Sequence, residues 1–150
     1  MERILLAGAT GYLGLFVLTE LQQRGYPVRA LVRDAGRVRT DDYPDLDLYE
    51  AEITDPDSIK GCCDSIDVVI STVGITRQKD GLSYMDVDYQ ANVNLLEKAQ
   101  QAGVRKFIYV SALNAVSYTH LRAHETGSGI SYAVFCLKKG GGGGGGGGGG

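Results

Sequence analysis

The chain has 150 residues, enough for one domain with a sizeable core, and its 43% hydrophobic content is ordinary for a globular protein. A formal charge of −3 argues against the basic face that non-specific nucleic-acid binding needs. No run approaches the roughly 18 consecutive apolar residues of a membrane span, and three cysteines (Cys62, Cys63 and Cys136) make an odd count that fits reduced thiols better than a disulfide framework.

The first strand is predicted at Arg3–Ala7, an apolar run that no basic or small-residue leader precedes, so the expected location is the cytoplasm. It feeds directly into glycines at 8, 11 and 14. A helix is predicted over Tyr12–Arg24, with Leu13, Phe16, Val17 and Leu21 at helical spacing and Gly25 as its stop. Strand, glycine turn and helix together form the context in which spaced glycines bind a dinucleotide. The first glycine permits the tight turn, the second lets backbone approach a pyrophosphate, and the third lets the helix pack close to the strand. The free N–H groups and partial positive charge of the helix N-terminus then face the phosphates.

Strand two is predicted at Val28–Val32, followed by a charged stretch from Arg33 to Asp45, and strand three at Leu46–Ile53. Asp55-Pro56-Asp57-Ser58 reads as a helix start, with Asp55 as cap and Pro56 in the first helical position. Strand four, Asp67–Val73, is a nearly continuous β-branched run of the kind buried on both faces. A loop over 74–83 leads to the longest helix, Tyr84–Ala102, closed by Gly103, and Lys106–Val110 is strand five. The alternation predicts an α/β fold: a doubly wound, Rossmann-like parallel sheet in the order 3-2-1-4-5, with its ligand across the C-terminal ends of strands one and four.

The end of strand two distinguishes the two nicotinamide dinucleotides. Arg33 stands 19 residues after Gly14, with Arg37 one helical turn later. Guanidinium suits a ribose 2′-phosphate, which favours NADP, whereas Asp34 would accept from a 2′-hydroxyl and keeps NAD open. Glu52 and Ile53 are placed to flank an adenine, Ile53 against the ring and Glu52 accepting from its amino group. Val73 and Gly74 end strand four where a nicotinamide ribose would pass. Ser111, after strand five, is the candidate for hydrogen bonding a substrate carbonyl. None of the nine tyrosines has a lysine four residues on, the spacing that lowers a phenol pKa for proton transfer. Tyr84 and Tyr89 fall on the long helix with no assigned role.

The C-terminal stretch reads differently. Of 22 glycines, 13 lie between 116 and 150, including an unbroken run from Gly140, so disorder is expected there. Val116–Thr126 resembles the in-frame translation of a transposon-type sequencing adapter, and Ile130–Leu137 resembles its flow-cell end. Gly127-Ser128-Gly129 would then be an index. The domain is therefore expected to occupy residues 1–115, net −5, with 116–150 as read-through. His120 and His124 have the i,i+4 spacing of a metal pair, but they belong to that segment, so no metal site is expected.

Gly8-Ala9-Thr10-Gly11-Tyr12-Leu13-Gly14, Leu31-Val32-Arg33-Asp34, Ile53-Thr54-Asp55-Pro56 and Tyr109–Ala115 together resemble the short-chain dehydrogenase/reductase superfamily. The glycine spacing is similar to its extended and atypical branches, including the NAD(P)H-binding, NmrA-like proteins. Asp88–Glu97 resembles the fourth-helix signature of those branches, with Asp88 where asparagine is frequent. The resemblance implies phosphate and ribose contacts at Gly8, Thr10, Gly11, Tyr12, Leu13, Gly14 and Arg33, a strand-four contact at Gly74, and an active-site serine at Ser111. The family's tyrosine and lysine lie further along. The reading is thus the N-terminal part of an NADP-dependent oxidoreductase with a small-molecule substrate, a fragment expected to be inactive by itself. The alternatives are a non-catalytic NAD(P)H-binding sensor or assembly factor, and part of a sugar-nucleotide epimerase.

Overall fold

The computed structural model describes residues 2–73, 82–111 and 131–136. Its strands are Ile4–Ala7 (β1), Val28–Val32 (β2), Asp47–Glu50 (β3), Val68–Ser71 (β4), Lys106–Ser111 (β5) and Ser131–Cys136 (β6). They form one sheet in the order β3-β2-β1-β4-β5-β6, with every pair parallel. Among the described residues the α-helices are Tyr12–Gln23 (α1) and Leu82–Ala102 (α2). The first five strands thus have the predicted order. β6 is an addition: it lies within the adapter-like segment, where no strand was expected. Its Tyr-Ala-Val-Phe sequence has the β-branched and aromatic character of a strand and pairs with the otherwise open edge of β5.

Period-two alternation sends the side chains of the central strands to opposite faces. Leu5, Ala7, Val69 and Phe107 join one buried cluster, packed against Val93, Leu95, Leu96 and Ala99 of α2. Leu6, Val28, Ala30 and Val32 join the other, packed against Leu18 of α1. The sheet is therefore covered on both faces, as a parallel sheet requires. Within α1, Gly14 and Leu18 are buried while Phe16 is 60% exposed, so Phe16 does not belong to the apolar stripe the spacing suggested. Contact between Gly14 and the strand end fixes the helix's rotation and turns Phe16 outward.

Both helices end in the same way. Gly25 N–H bonds the Gln22 carbonyl and Tyr26 N–H that of Leu21; Gly103 and Val104 repeat the pattern on Gln100 and Ala99. Each glycine takes the left-handed conformation (φ +82° and +81°) that this C-terminal motif demands.

The predicted helix after Asp55 does not form. Asp55, expected as its cap, instead closes a local turn, its Oδ1 accepting from Asp57 N–H at 3.1 Å. The chain then runs to Ile66 as successive i→i+3 turns, interrupted by left-handed Gly61 and Ser65 (φ +87° and +64°). These turns nonetheless bury Ile59, Cys62, Cys63 and Ile66 in the core. The two thiols are free and 3.7 Å apart. The hydrogen bond with Cys62 and burial push the Cys63 thiol far above its ordinary range. Gly74, His120 and His124 lie outside the described residues, as does most of the loop predicted over 74–83. Among the described residues, no helix is long and apolar enough to cross a membrane.

Phe107 of β5 is fully buried in the cluster that includes Val69 of β4 and the apolar residues of α2. Phe107→Ala should therefore cost about 3–5 kcal/mol through lost burial and the cavity left behind. The unfolding midpoint in urea, followed by circular dichroism, measures this.

Candidate functional site

β1 ends at Ala7, and the chain must reverse at once to start α1. Gly8 makes the reversal with φ +91°, and Gly11 N–H closes the turn on the Gly8 carbonyl at 3.0 Å. Space is the tighter constraint. A Cβ at Gly8 would stand 2.4 Å from Thr72 Oγ1, and one at Gly14 would stand 1.9 Å from the Gly8 carbonyl oxygen. At Gly11 the nearest atom would be 3.5 Å away, an ordinary contact. Gly8 and Gly14 are thus the positions where any side chain would push helix from strand. Gly11 is the N-cap of α1, and no side chain bonds there. The donors of the first turn (Tyr12, Leu13, Gly14) therefore stay available to an anion, with the helix dipole behind them.

A cleft of about 440 Å³ opens above the strand ends, within the size range of small-molecule sites. Ala7, Gly8 and Thr10 line it from β1 and the glycine turn; Leu31, Val32, Arg33, Asp34 and Arg37 line it from β2 and the turn beyond; Ala51, Ile53 and Val73 complete it. It lies beside the β1–β4 boundary, where the strand order reverses, the usual ligand position in a doubly wound sheet.

Most of the residues predicted for this site come together. Gly8, Thr10, Arg33, Arg37, Ile53 and Val73 line the cleft, and Gly11, Tyr12, Leu13 and Gly14 form the helix start beside it. The Tyr12 ring is 74% exposed and packs edge-on against Phe16, with centroids 5.2 Å apart, so its contribution to the turn comes from its backbone N–H. β3 ends at Glu50 rather than Ile53, which puts Glu52 and Ile53 on the turn beyond the strand. Ile53 lines the cleft. Glu52 is not among the lining residues: one carboxylate oxygen pairs with Arg33 Nε at 3.2 Å and the other accepts from Thr54 Oγ1 at 2.8 Å. Asp34 Oδ1 accepts from Gly36 N–H at 2.9 Å, capping the short turn Ala35–Arg37. Ser111 is the last residue of β5; its side chain and Gly74 lie outside the described residues.

The sequence reading missed a layer of buried polar residues that holds the strand ends together. Thr72 is 6% exposed, and its Oγ1 is shared between the Ala7 and Gly8 carbonyls at 3.2 and 3.3 Å. Ser71 Oγ donates to Asn92 Oδ1 at 2.6 Å and accepts from Val73 N–H at 3.3 Å. Asn94 Nδ2 donates to the Ile53 carbonyl at 3.1 Å. Two asparagines on an otherwise apolar helix face were the available signal, since buried amides are kept where backbone groups need partners.

The sequence profile of a family described as NAD(P)H-binding matches residues 8–130. The chain belongs to this family. The match begins at Gly8 and runs past Ala115, where the sequence reading ended the domain. The chain is 32% identical over 124 residues to the 3 beta-hydroxysteroid dehydrogenase/Delta 5-->4-isomerase of Mycobacterium tuberculosis, covering 77% of this chain and 33% of that protein. It is 29% identical over 116 residues to the Photosystem II assembly factor Ycf39 of Synechocystis sp., covering 77% and 35%. Among solved structures it is similar to a Stenotrophomonas maltophila UDP-glucose-4-epimerase with bound NAD, at a TM-score of 0.65 and 26% identity, covering 75% and 37%. With these relatives this NAD(P)H-binding chain falls in the extended short-chain dehydrogenase/reductase superfamily. It spans about a third of the length of the curated relatives it matches.

The contrast between Gly14 and Gly25 tests the close approach. Gly14→Ala should destabilise the domain by about 1–3 kcal/mol through overpacking and abolish nucleotide binding, because the first turn of α1 must move. Gly25→Ala meets no atom within 4 Å and strains only the helix end, costing about 1 kcal/mol with binding intact. Urea unfolding and a nucleotide titration on both variants separate the two.

Proposed function

We propose that this chain is the N-terminal part of an NADP(H)-dependent oxidoreductase acting on a small organic carbonyl or alkene. The observation that carries the cofactor choice is the rim of the cleft beyond β2. Arg33 and Arg37 both line it, while the neighbouring Asp34 is engaged as a cap to Gly36 N–H. Guanidinium groups there favour a ribose 2′-phosphate, which they hold by bidentate, charge-assisted hydrogen bonds. Asp34 also borders the cleft, with one oxygen engaged by Gly36 N–H and the other able to accept from a 2′-hydroxyl, so the preference rests on the two guanidinium groups together.

In this reading the first turn of α1 takes the pyrophosphate on its backbone donors and Ile53 flanks the adenine. Val73, held by Ser71, borders the path toward the nicotinamide. The bound cofactor would supply hydride exchange; the chain's residues orient it and fix which end meets the substrate. Ser111, closing β5, is the proposed hydrogen-bond donor to the substrate oxygen.

A second reading, a non-catalytic NADP(H)-binding sensor or assembly factor, draws support from the likeness to the Photosystem II assembly factor; the epimerase reading draws on the likeness to a sugar-nucleotide epimerase. All three share the cleft and differ in the rest of the protein. A tyrosine–lysine pair facing Ser111 in a longer form of the protein favours the enzyme or epimerase over the sensor.

Ligand-detected NMR titrations with NADPH and NADH test the cofactor reading. NADPH should bind more tightly than NADH. Arg33→Gln should weaken NADPH by about tenfold or more and leave NADH nearly unchanged, as expected for loss of a hydrogen bond between charged partners. Equal loss for both nucleotides would remove the 2′-phosphate assignment.

A further inference from the structure

We infer that Glu52 is a cofactor-selectivity residue, its carboxylate restraining the preference for a 2′-phosphate by partly neutralising Arg33. The inference rests on the reading that the cleft takes a nicotinamide dinucleotide with Arg33 at the 2′ position. Three observations lead to it. Arg33 is 77% exposed at its side chain, and its one ion pair among the described residues is the 3.2 Å contact from Nε to Glu52 Oε1. Glu52 is not among the residues lining the cleft, so it acts on a ligand there by its charge and through Arg33 rather than by contact. Its other oxygen is anchored by Thr54 Oγ1 at 2.8 Å, which keeps the carboxylate beside the guanidinium.

Two opposite effects follow from this arrangement, and their sizes decide between them. The pair orients Arg33, leaving its Nη donors for the phosphate, which helps NADP. An exposed ion pair of this kind contributes less than about fivefold to any equilibrium, and usually far less. Against that, a phosphate held by the same guanidinium lies on the order of 6–7 Å from the carboxylate, the span of the planar fork plus two hydrogen bonds. Repulsion between a carboxylate and a near-dianionic phosphate at that distance, even screened by salt, amounts to about three- to tenfold. Repulsion wins. The carboxylate therefore narrows the gap between NADP(H) and NAD(H).

The experiment is a set of NADPH and NADH dissociation constants for the full chain, by ligand-detected NMR, with four variants. Glu52→Gln keeps an acceptor for Thr54 but loses the charge; it should tighten NADPH about three- to tenfold and leave NADH within about twofold. Glu52→Asp keeps the charge and should leave the NADPH-to-NADH ratio near that of the parent chain. In an Arg33→Gln background, Glu52→Gln should give a different increment from the one it gives alone, because the two residues form one unit. The inference is overturned if Glu52→Gln leaves the ratio unchanged or moves it toward NADH, or if Glu52→Asp shifts it as far as Glu52→Gln does. In those cases nucleotide binding by the parent chain shows that the cleft reading itself stands. If the parent chain binds neither nucleotide, the cleft reading fails and this inference fails with it.

Discussion

The site depends on one close approach: the first turn of α1 lies against the end of β1 with no room for a side chain between them. A methyl group at Gly14 would overlap the Gly8 carbonyl oxygen, and one at Gly8 would overlap Thr72. Several consequences follow from that contact. It aims the open donors of the helix start across the strand ends. It fixes the rotation of α1, so that Gly14 and Leu18 face the sheet and Phe16 faces outward. It also brings β4 into the turn, because Thr72 closes over the carbonyls of Ala7 and Gly8. A helix set back by even one methyl group would lose all three together.

Beneath the cleft, the strand ends carry backbone polar groups that no further strand residue satisfies. Leaving such groups buried and unpaired costs about 1–3 kcal/mol each. Side chains from α2 take up that task. Asn92, 0% exposed, ties Ser71 and the Val73 carbonyl, and Asn94, itself held by Gln90, ties the Ile53 carbonyl. The helix thereby positions two of the cleft's walls, Ile53 and Val73, while its apolar face fills the core. Rigidity at these walls helps binding because less conformational entropy is lost when a ligand settles against them.

How much of this was legible in the sequence depends on the range of each interaction. The glycine turn could be read because its geometry is local: Gly8, Gly11 and Gly14 and the strand and helix around them lie within one short stretch. Arg33 and Arg37 could be placed for the same reason, by counting from that turn to the end of β2. The Thr72 and Asn94 contacts could not. They join residues 64 or 65 and 41 positions apart, and a lone hydroxyl or amide has no periodicity to betray its partner. The segment after Asp55 shows the limit of local signals. Its residues are those of a helix start, and Asp55 does accept from Asp57 N–H, yet the chain continues as turns, with left-handed backbone at Gly61 and Ser65. Apolar spacing likewise could not decide between Phe16 and Leu18, since the rotation of α1 is set by a contact with β1 rather than by hydrophobicity.

The charged rim beyond β2 shows why a single residue type at a strand end is a weak guide to ligand choice. Read alone, Arg33 argues for a 2′-phosphate and Asp34 against it. In the fold, the acids near the turn serve its architecture. Asp34 caps Gly36 and Glu50 accepts from Ala35 N–H at 3.1 Å, so two carboxylates shape the turn that carries Arg37 to the cleft. Glu52 is different, because it is paired with a guanidinium that borders the ligand's space. The local charge is therefore close to balanced. Attraction for a phosphate must then come from how the guanidinium donors are directed, since net charge contributes little. Directed donors act over hydrogen-bonding distance, whereas net charge acts over a Debye length of about 8–10 Å. A rim built this way discriminates by contact, and its selectivity is open to adjustment by the residues that hold the arginines, without any change in the arginines themselves.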